Sequence, residues 1–269
     1  MTENKSKSLD DYDGEDKVIS SEEMLLHLKE KPDSLLNVKS FIPSLDQAVD
    51  GFREGELIVI SGPTKNGKTL LAQSFTNSFV SQQYYPLWFS FEVPVRQFLN
   101  SFPKMPLIYM PQKLKAHALN WFEDRVNESF EKYHTRIVFC DHLHYLIDLA
   151  RIRNPSIEIG QIIRRLKTLA VNGDYLIFLL CHTTKGVSDE GLSFEAIRDS
   201  SFISQESDSV LMIKRTPKKG NNIAQLYVEF HRRTGIMEKK IDLIKADGYL
   251  HELEVHQQVD FKSRSAGEA

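Results

Sequence analysis

The sequence predicts a three-layer α/β fold around a mostly parallel sheet, because short apolar runs of strand length alternate with stretches of helical periodicity. A second observation agrees: the first such run opens into a glycine-rich turn followed directly by a helical pattern. Glu56 to Ser61 (ELIVIS), bounded by Gly55 and Gly62, reads as a strand buried on both faces. Residues after Lys68 carry helical spacing to about Val80. Pro86 to Phe91 (PLWFSF), Arg136 to Asp141 (RIVFCD) and Tyr175 to Cys181 (YLIFLLC) supply three further buried strands, and Ile157 to Val171 forms a helix between the last two. Beyond Asp208 the pattern changes to successive strands at Val210–Lys214, Ala224–His231, Lys240–Ile244 and Tyr249–Val255, the last two joined around Asp247-Gly248. This third of the chain is expected to extend the sheet in antiparallel fashion.

With 269 residues, 41% of them hydrophobic, the chain can bury one substantial core but hardly a second large one. The predicted organisation is an acidic flexible tail over 1–20, a linker helix within 21–40, one main α/β domain over 41–256, and a flexible tail over 257–269. In the linker, Ser21 precedes Glu22 and Glu23, and Met24, Leu25, Leu26 and Leu28 follow, so a short capped helix ending before Pro32 is expected. No apolar run reaches the ~18 residues of a membrane span, and the first residues, MTENKSKSLDDYDGED, are charged where a secretion signal is apolar. A soluble, cytoplasmic protein is expected. Cys140 and Cys181 each sit in an apolar run and read as reduced core thiols. At a net charge of −3, nucleic acid would have to be held by local basic patches.

The chemistry begins at Gly62-Pro63-Thr64-Lys65-Asn66-Gly67-Lys68-Thr69, which fits G-x-x-x-x-G-K-S/T between a strand and a helix. Glycines let the backbone wrap a phosphate, N–H groups and the helix N-terminus face its charge, Lys68 reaches the terminal phosphates, and Thr69 offers a hydroxyl to Mg²⁺. With Leu70, these residues are the expected nucleotide site, for ATP and Mg²⁺. A chance glycine turn is the alternative, and both flanks argue against it. Glu92 and Asp141 emerge at the carboxyl ends of strands expected to flank the loop, where α/β sheets bind ligands. Asp141 is expected to hold the metal with Thr69, and Glu92 to polarise the attacking water. The alternative for each is a capping or solvent-facing acid.

From about Ile42 to Val255 the order of signatures resembles the RecA-like ATPase domain of DnaB-type replicative helicases. The stretch IPSLDQAVDG (42–51) leading into GELIVIS (55–61) is similar to the family's approach to its phosphate loop, and Ser90-Phe91-Glu92 resembles its Ser-Leu-Glu, whose glutamate is the catalytic base. Asp141-His142-Leu143-His144 stands where the family has Asp-Tyr-Leu-Gln, and Cys181-His182 where it has Ser-Gln. Ile197-Arg-Asp-Ser200, Gln205-Glu-Ser-Asp208 and His231-Arg-Arg-Thr-Gly235 are similar to three later motifs. The resemblance implies a RecA-like P-loop NTPase fold with C-terminal antiparallel strands and a homo-oligomeric ring or filament, of up to hexameric size. It also implies that Arg233 acts as an arginine finger on a neighbour's ATP. The family's usual N-terminal domain is missing from the match, and His231 replaces a lysine.

His182 in place of glutamine can sense the γ-phosphate, since neutral imidazole both donates and accepts a hydrogen bond. Packing of His142, His144 and His182 is the plain alternative, and a transition-metal site lacks a completing ligand at motif spacing. Arg151, Arg153 and Lys185 lie in loops that the resemblance directs toward a central channel, and are the expected single-stranded DNA contacts. A DNA-stimulated ATPase, helicase or translocase is therefore the leading reading. A nucleotide-dependent assembly or signalling switch stands second, and a small-molecule kinase third, since no acceptor pocket can be read.

Overall fold

A computed structural model describes residues 12–14, 16–30, 36–147, 155–182, 200–217 and 220–253. The chain falls into two units, 1–35 and 36–269. In the first, α1 (Ser21–Glu30) forms as expected, but its cap lies one residue earlier. Ser20 Oγ accepts from the Glu23 N–H at 3.1 Å while Glu23 Oε2 accepts from the Ser20 N–H at 2.9 Å, a reciprocal capping box. Met24, Leu25, Leu26 and Leu28 are exposed.

The second unit holds a short ladder, β1 (Asn37–Val38) with β2 (Phe52–Arg53), around α2 (Pro43–Val49), and one large sheet. Along the chain follow β3 (Leu57–Ser61), α3 (Lys68–Ser81), β4 (Leu87–Ser90), α4 (Val95–Asn100), α5 (Leu119–Tyr133), β5 (Ile137–Asp141), α6 (Pro155–Asn172), β6 (Leu176–Leu180), α7 (Ser200–Glu206), β7 (Ser209–Arg215), β8 (Ile223–His231), β9 (Ile236–Ala246) and β10 (Tyr249–Glu252). The sheet order is β10-β9-β8-β7-β3-β6-β5-β4. The five strands from β7 to β4 run parallel, and β8, β9 and β10 are antiparallel.

Two expectations need correction. β7 pairs in parallel with β3, so the antiparallel extension begins only at β8. The strands bearing Glu92 and Asp141 do not flank β3: both lie on one side of it, with β6 in between. Spacing along a sequence gives the order of strands in the chain, whereas the crossover of each helix decides which neighbours meet in the sheet.

Alternation along β3 and β6 explains the layering. Ile58, Ile60, Leu176, Phe178 and Leu180 enter one core with Phe75 and Phe79 of α3, whereas Leu57, Val59, Ile177 and Leu179 enter the other with Phe122, Ile159, Ile163 and Leu166 of α5 and α6. In register across β4, β5 and β6, Trp88, Phe139 and Phe178 stack at centroid distances of 4.6 Å, and the indole N–H of Trp88 is satisfied by Thr76 Oγ1. This tight packing holds three consecutive strand ends at one level. Cys140 and Cys181 are buried free thiols, as expected, and no helix among the described residues is long and apolar enough to cross a membrane.

Candidate active site

The loop after β3 takes its shape from its glycines. Gly62 has φ 147°, and a side chain there would bring its Cβ within 2.2 Å of the Ile213 carbonyl oxygen on β7. Gly67 at φ 99° starts α3 from a left-handed position. Between them Thr64 and Lys65 are exposed, Pro63 and Asn66 partly so, and Asn66 Oδ1 accepts from the Arg215 N–H at 2.9 Å, pinning the loop to the end of β7. Lys68, the first residue of α3, is 5% exposed and donates to the carbonyls of Gly62 and Pro63 at 2.9 and 3.0 Å. An ammonium so buried is held by the loop it serves.

Thr69 Oγ1 donates to Asp141 Oδ2 at 2.8 Å. The loop hydroxyl and the acid at the end of β5 thus meet although β6 lies between their strands. Around them opens a cleft of about 390 Å³, lined among others by Lys68, Thr69, Leu70, Glu92, Asp141 and His182. The metal-holding, catalytic-base and phosphate-sensing candidates and most of the predicted nucleotide-binding residues therefore share one cavity, while Gly62, Pro63 and Asn66 do not line it. Gln73, Gln97, Phe98 and Ser101 line it too, and no motif marked them. The signal available was Pro94 ahead of Val95, a helix start that places α4 over the cleft.

Burial shapes the charges. It lowers the Lys68 ammonium pKa, against the pull of Glu92 and Asp141. It pushes the Asp141 carboxyl up to about 6, helped by the neighbouring charge of Glu92 and opposed by the Thr69 hydrogen bond. A dication or a cationic lysine drawn closer would reverse this shift, so a buried acid with a hydroxyl partner suits a metal ion. His142 is lowered to about 3 by burial and then by His182 and His144, and His182 is lowered by burial and then by Lys68. Both rings are neutral near pH 7. They sit edge to face with centroids 4.3 Å apart, and His182 Nδ1 is buried without a hydrogen-bond partner.

The residues fit a nucleotide and Mg²⁺: Gly62 has no room for a side chain, Gly67 holds a left-handed φ that favours glycine, and the hydroxyl–carboxylate pair of Thr69 and Asp141 is the donor set that hard cations take. Arg233 is elsewhere. Its Nε donates to Glu56 Oε1 at 2.8 Å and its Nη2 to the carbonyls of Val49 and Gly51 at 2.8 and 2.7 Å. Glu56 precedes β3, so Arg233 stands at the amino end of the strand whose carboxyl end carries the phosphate loop. The expected finger is a clamp in this structure. Arg151, Arg153 and Lys185 lie outside the described residues, as do Ile197 to Asp199. Asp208 of the Gln-Glu-Ser-Asp motif accepts from the Leu57 N–H and from Lys167 Nζ, tying β3, β7 and α6 together.

Known proteins resemble this chain in sequence and in fold. The family model for the KaiC ATPase matches residues 38–169. A probable replicative DNA helicase of Trieres chinensis is 24% identical, covering 74% of this chain and 52% of that protein. The replicative DNA helicase DnaB of Leifsonia xyli subsp. xyli is 22% identical, covering 76% and 53%. The chain thus spans about half the length of the curated relatives it matches. Among solved structures, a DnaB-like replicative helicase studied with its primase interactions superposes with a TM-score of 0.73 at 19% identity, over 89% of this chain and 68% of the other. A second solved structure, an isolated ATPase domain, gives a TM-score of 0.76 at 17% identity, over 88% of this chain and 100% of that one.

Proposed function

From the premise that this chain resembles, in sequence and fold, the RecA-like P-loop ATPase domains of DnaB-type replicative helicases, we propose that it hydrolyses ATP with Mg²⁺. It does so as one subunit of a homo-oligomeric motor driven along, or stimulated by, single-stranded DNA. The observation that carries this is the Thr69–Asp141 hydrogen bond beside a buried Lys68, with Glu92 on the same cleft.

Each residue then has one task. Backbone amides from Gly62 to Thr69 cradle the phosphates, Lys68 turns from its loop carbonyls to the terminal phosphate, and Thr69 with Asp141 holds Mg²⁺. Mg²⁺, when bound there, would neutralise charge that develops on the phosphates. Glu92, exposed at the end of β4, accepts a proton from the water that attacks the γ-phosphorus as the bond to the β-phosphate oxygen breaks. His182, neutral, hydrogen-bonds the γ-phosphate. DNA contacts by Arg151, Arg153 and Lys185 belong to the same proposal.

The test is the ATPase rate of wild-type chain and Lys68→Ala, with and without single-stranded DNA, beside light scattering with a non-hydrolysable nucleotide. Turnover that requires Lys68, rises with DNA and accompanies assembly supports the motor. A DNA-indifferent rate favours the nucleotide-dependent assembly switch, a reading to which the internal engagement of Arg233 lends weight. Turnover unaffected by Lys68→Ala would sink both.

A further inference from the structure

Three ligating side chains meet at the level where the parallel strands end. Ser90, Asp141 and Leu180 are aligned in register across β4, β5 and β6. Glu92, His142 and His182 follow them by two, one and two residues, so side chains from the ends of three neighbouring strands converge at one level. One nitrogen or oxygen from each lies within 4.8 Å of those of the other two. The sequence showed no carboxylate at motif spacing for these histidines, yet the sheet delivers one from a distant segment.

We propose that Glu92, His142 and His182 form a binding site for a divalent transition metal of the zinc class, and that its occupancy silences hydrolysis by engaging Glu92. The donor set of two imidazoles and one carboxylate leaves a fourth position to water, as in open zinc sites. Tetrahedral bonds of about 2.0–2.1 Å require ligand atoms roughly 3.3 Å apart. The ligand atoms lie no more than 4.8 Å from one another, and Glu92, exposed on the loop after β4, is free to close on the buried His142. His182 also keeps its Nδ1 buried with no hydrogen-bond partner. Zinc prefers imidazole over the all-oxygen environment that suits Mg²⁺, so the two ions sort between this triad and the Thr69–Asp141 pair. The silencing half rests on Glu92 being the base of the proposed ATPase. The binding half does not.

The experiment separates the two. Metal-stripped full chain, without nucleotide, is titrated with Zn²⁺ against a chromophoric zinc indicator, and with Co²⁺ for the visible absorption of four-coordinate cobalt. One equivalent is expected to bind. His182→Ala, His142→Ala and Glu92→Gln should each weaken it at least about tenfold, and the exposed His251→Ala should not. Glu92→Gln alters an exposed residue and keeps the binding test valid should a buried histidine variant fail to fold. Absence of stoichiometric binding, or affinity unchanged in Glu92→Gln and His182→Ala, overturns the site. In Mg-ATP, Zn²⁺ at one equivalent should abolish turnover and a chelator restore it. Binding with undiminished turnover overturns the silencing, and a chain that binds zinc but never hydrolyses ATP refutes the ATPase reading instead.

Discussion

Glu92 and Asp141 are chemically alike, and in the proposed reaction their surroundings divide their work. Asp141 is 2% exposed, accepts from the Thr69 hydroxyl and has its carboxyl pushed up to about 6 by burial, a shift that a bound cation would reverse. Glu92 is exposed and free to reach a water. Exchanging its carboxylate for an amide of the same shape removes the proton acceptor alone. Glu92→Gln should therefore lower kcat by about 10²–10⁴-fold with nucleotide affinity retained, read by phosphate release beside a fluorescent-nucleotide titration; equal loss of binding would assign Glu92 a structural role. At this scale the phosphate loop was fully legible, because eight consecutive residues carry its geometry. The meeting of Glu92 with His142 and His182 was not, because it depends on strand order, which spacing along the chain does not encode. Gln73 and Gln97 were silent for the same reason.

Among elements, the turn between β8 and β9 is bound to the end of α2. Arg233 joins Glu56, Val49 and Gly51, and Thr234 Oγ1 donates to the Ala48 carbonyl at 2.9 Å. The guanidinium donates to the Val49 carbonyl at the end of a helix that stops at a left-handed Asp50, where no further turn donates to it, and to the Gly51 carbonyl just beyond. Arg233→Ala leaves these carbonyls without their donor and a 7%-exposed Glu56 without its guanidinium, which should cost about 2–3 kcal/mol in urea unfolding. A loss below about 0.5 kcal/mol would show that the clamp contributes little. Glu56 also predicts a pH dependence. Burial alone would raise its carboxyl, but the His231 ring 3.5 Å away and the bonds from Arg233 and the Arg53 N–H outweigh it and hold it below the usual 4.5. A depressed folded-state value means that its stabilisation is complete above pH 4.5 and lost as pH falls through the lower folded value. Glu56→Gln should flatten that acid limb of a stability profile, and an unchanged limb would assign it to other carboxylates. The sequence pattern His231-Arg-Arg-Thr-Gly235 flagged Arg233 without its partners, since Glu56 and the end of α2 reach it only through the antiparallel strands.

At the scale of the whole molecule, β3 carries the phosphate loop at one end and the Arg233 clamp at the other, so one copy cannot bring both to the same nucleotide. The layered sheet was legible from alternating apolar runs. What escaped was its seam: which strand neighbours β3, and that the antiparallel half starts after β7. That seam matters because it separates the loop from Arg233. If Arg233 serves as a finger, it does so on another subunit and only after leaving Glu56, which couples assembly to opening of the clamp. Complementation tests this directly. Lys68→Ala retains Arg233 but cannot hold phosphate, and Arg233→Lys retains the loop but lacks the planar fork, with less disturbance of Glu56 than alanine. Each alone should be nearly inactive, and a mixture should recover turnover wherever a Lys68→Ala subunit presents Arg233 to an intact loop. Light scattering must show the two variants co-assembling. A mixture that co-assembles yet stays inactive would remove the finger, leaving Arg233 as the structural clamp seen in the single chain and nucleotide binding as a switch of assembly.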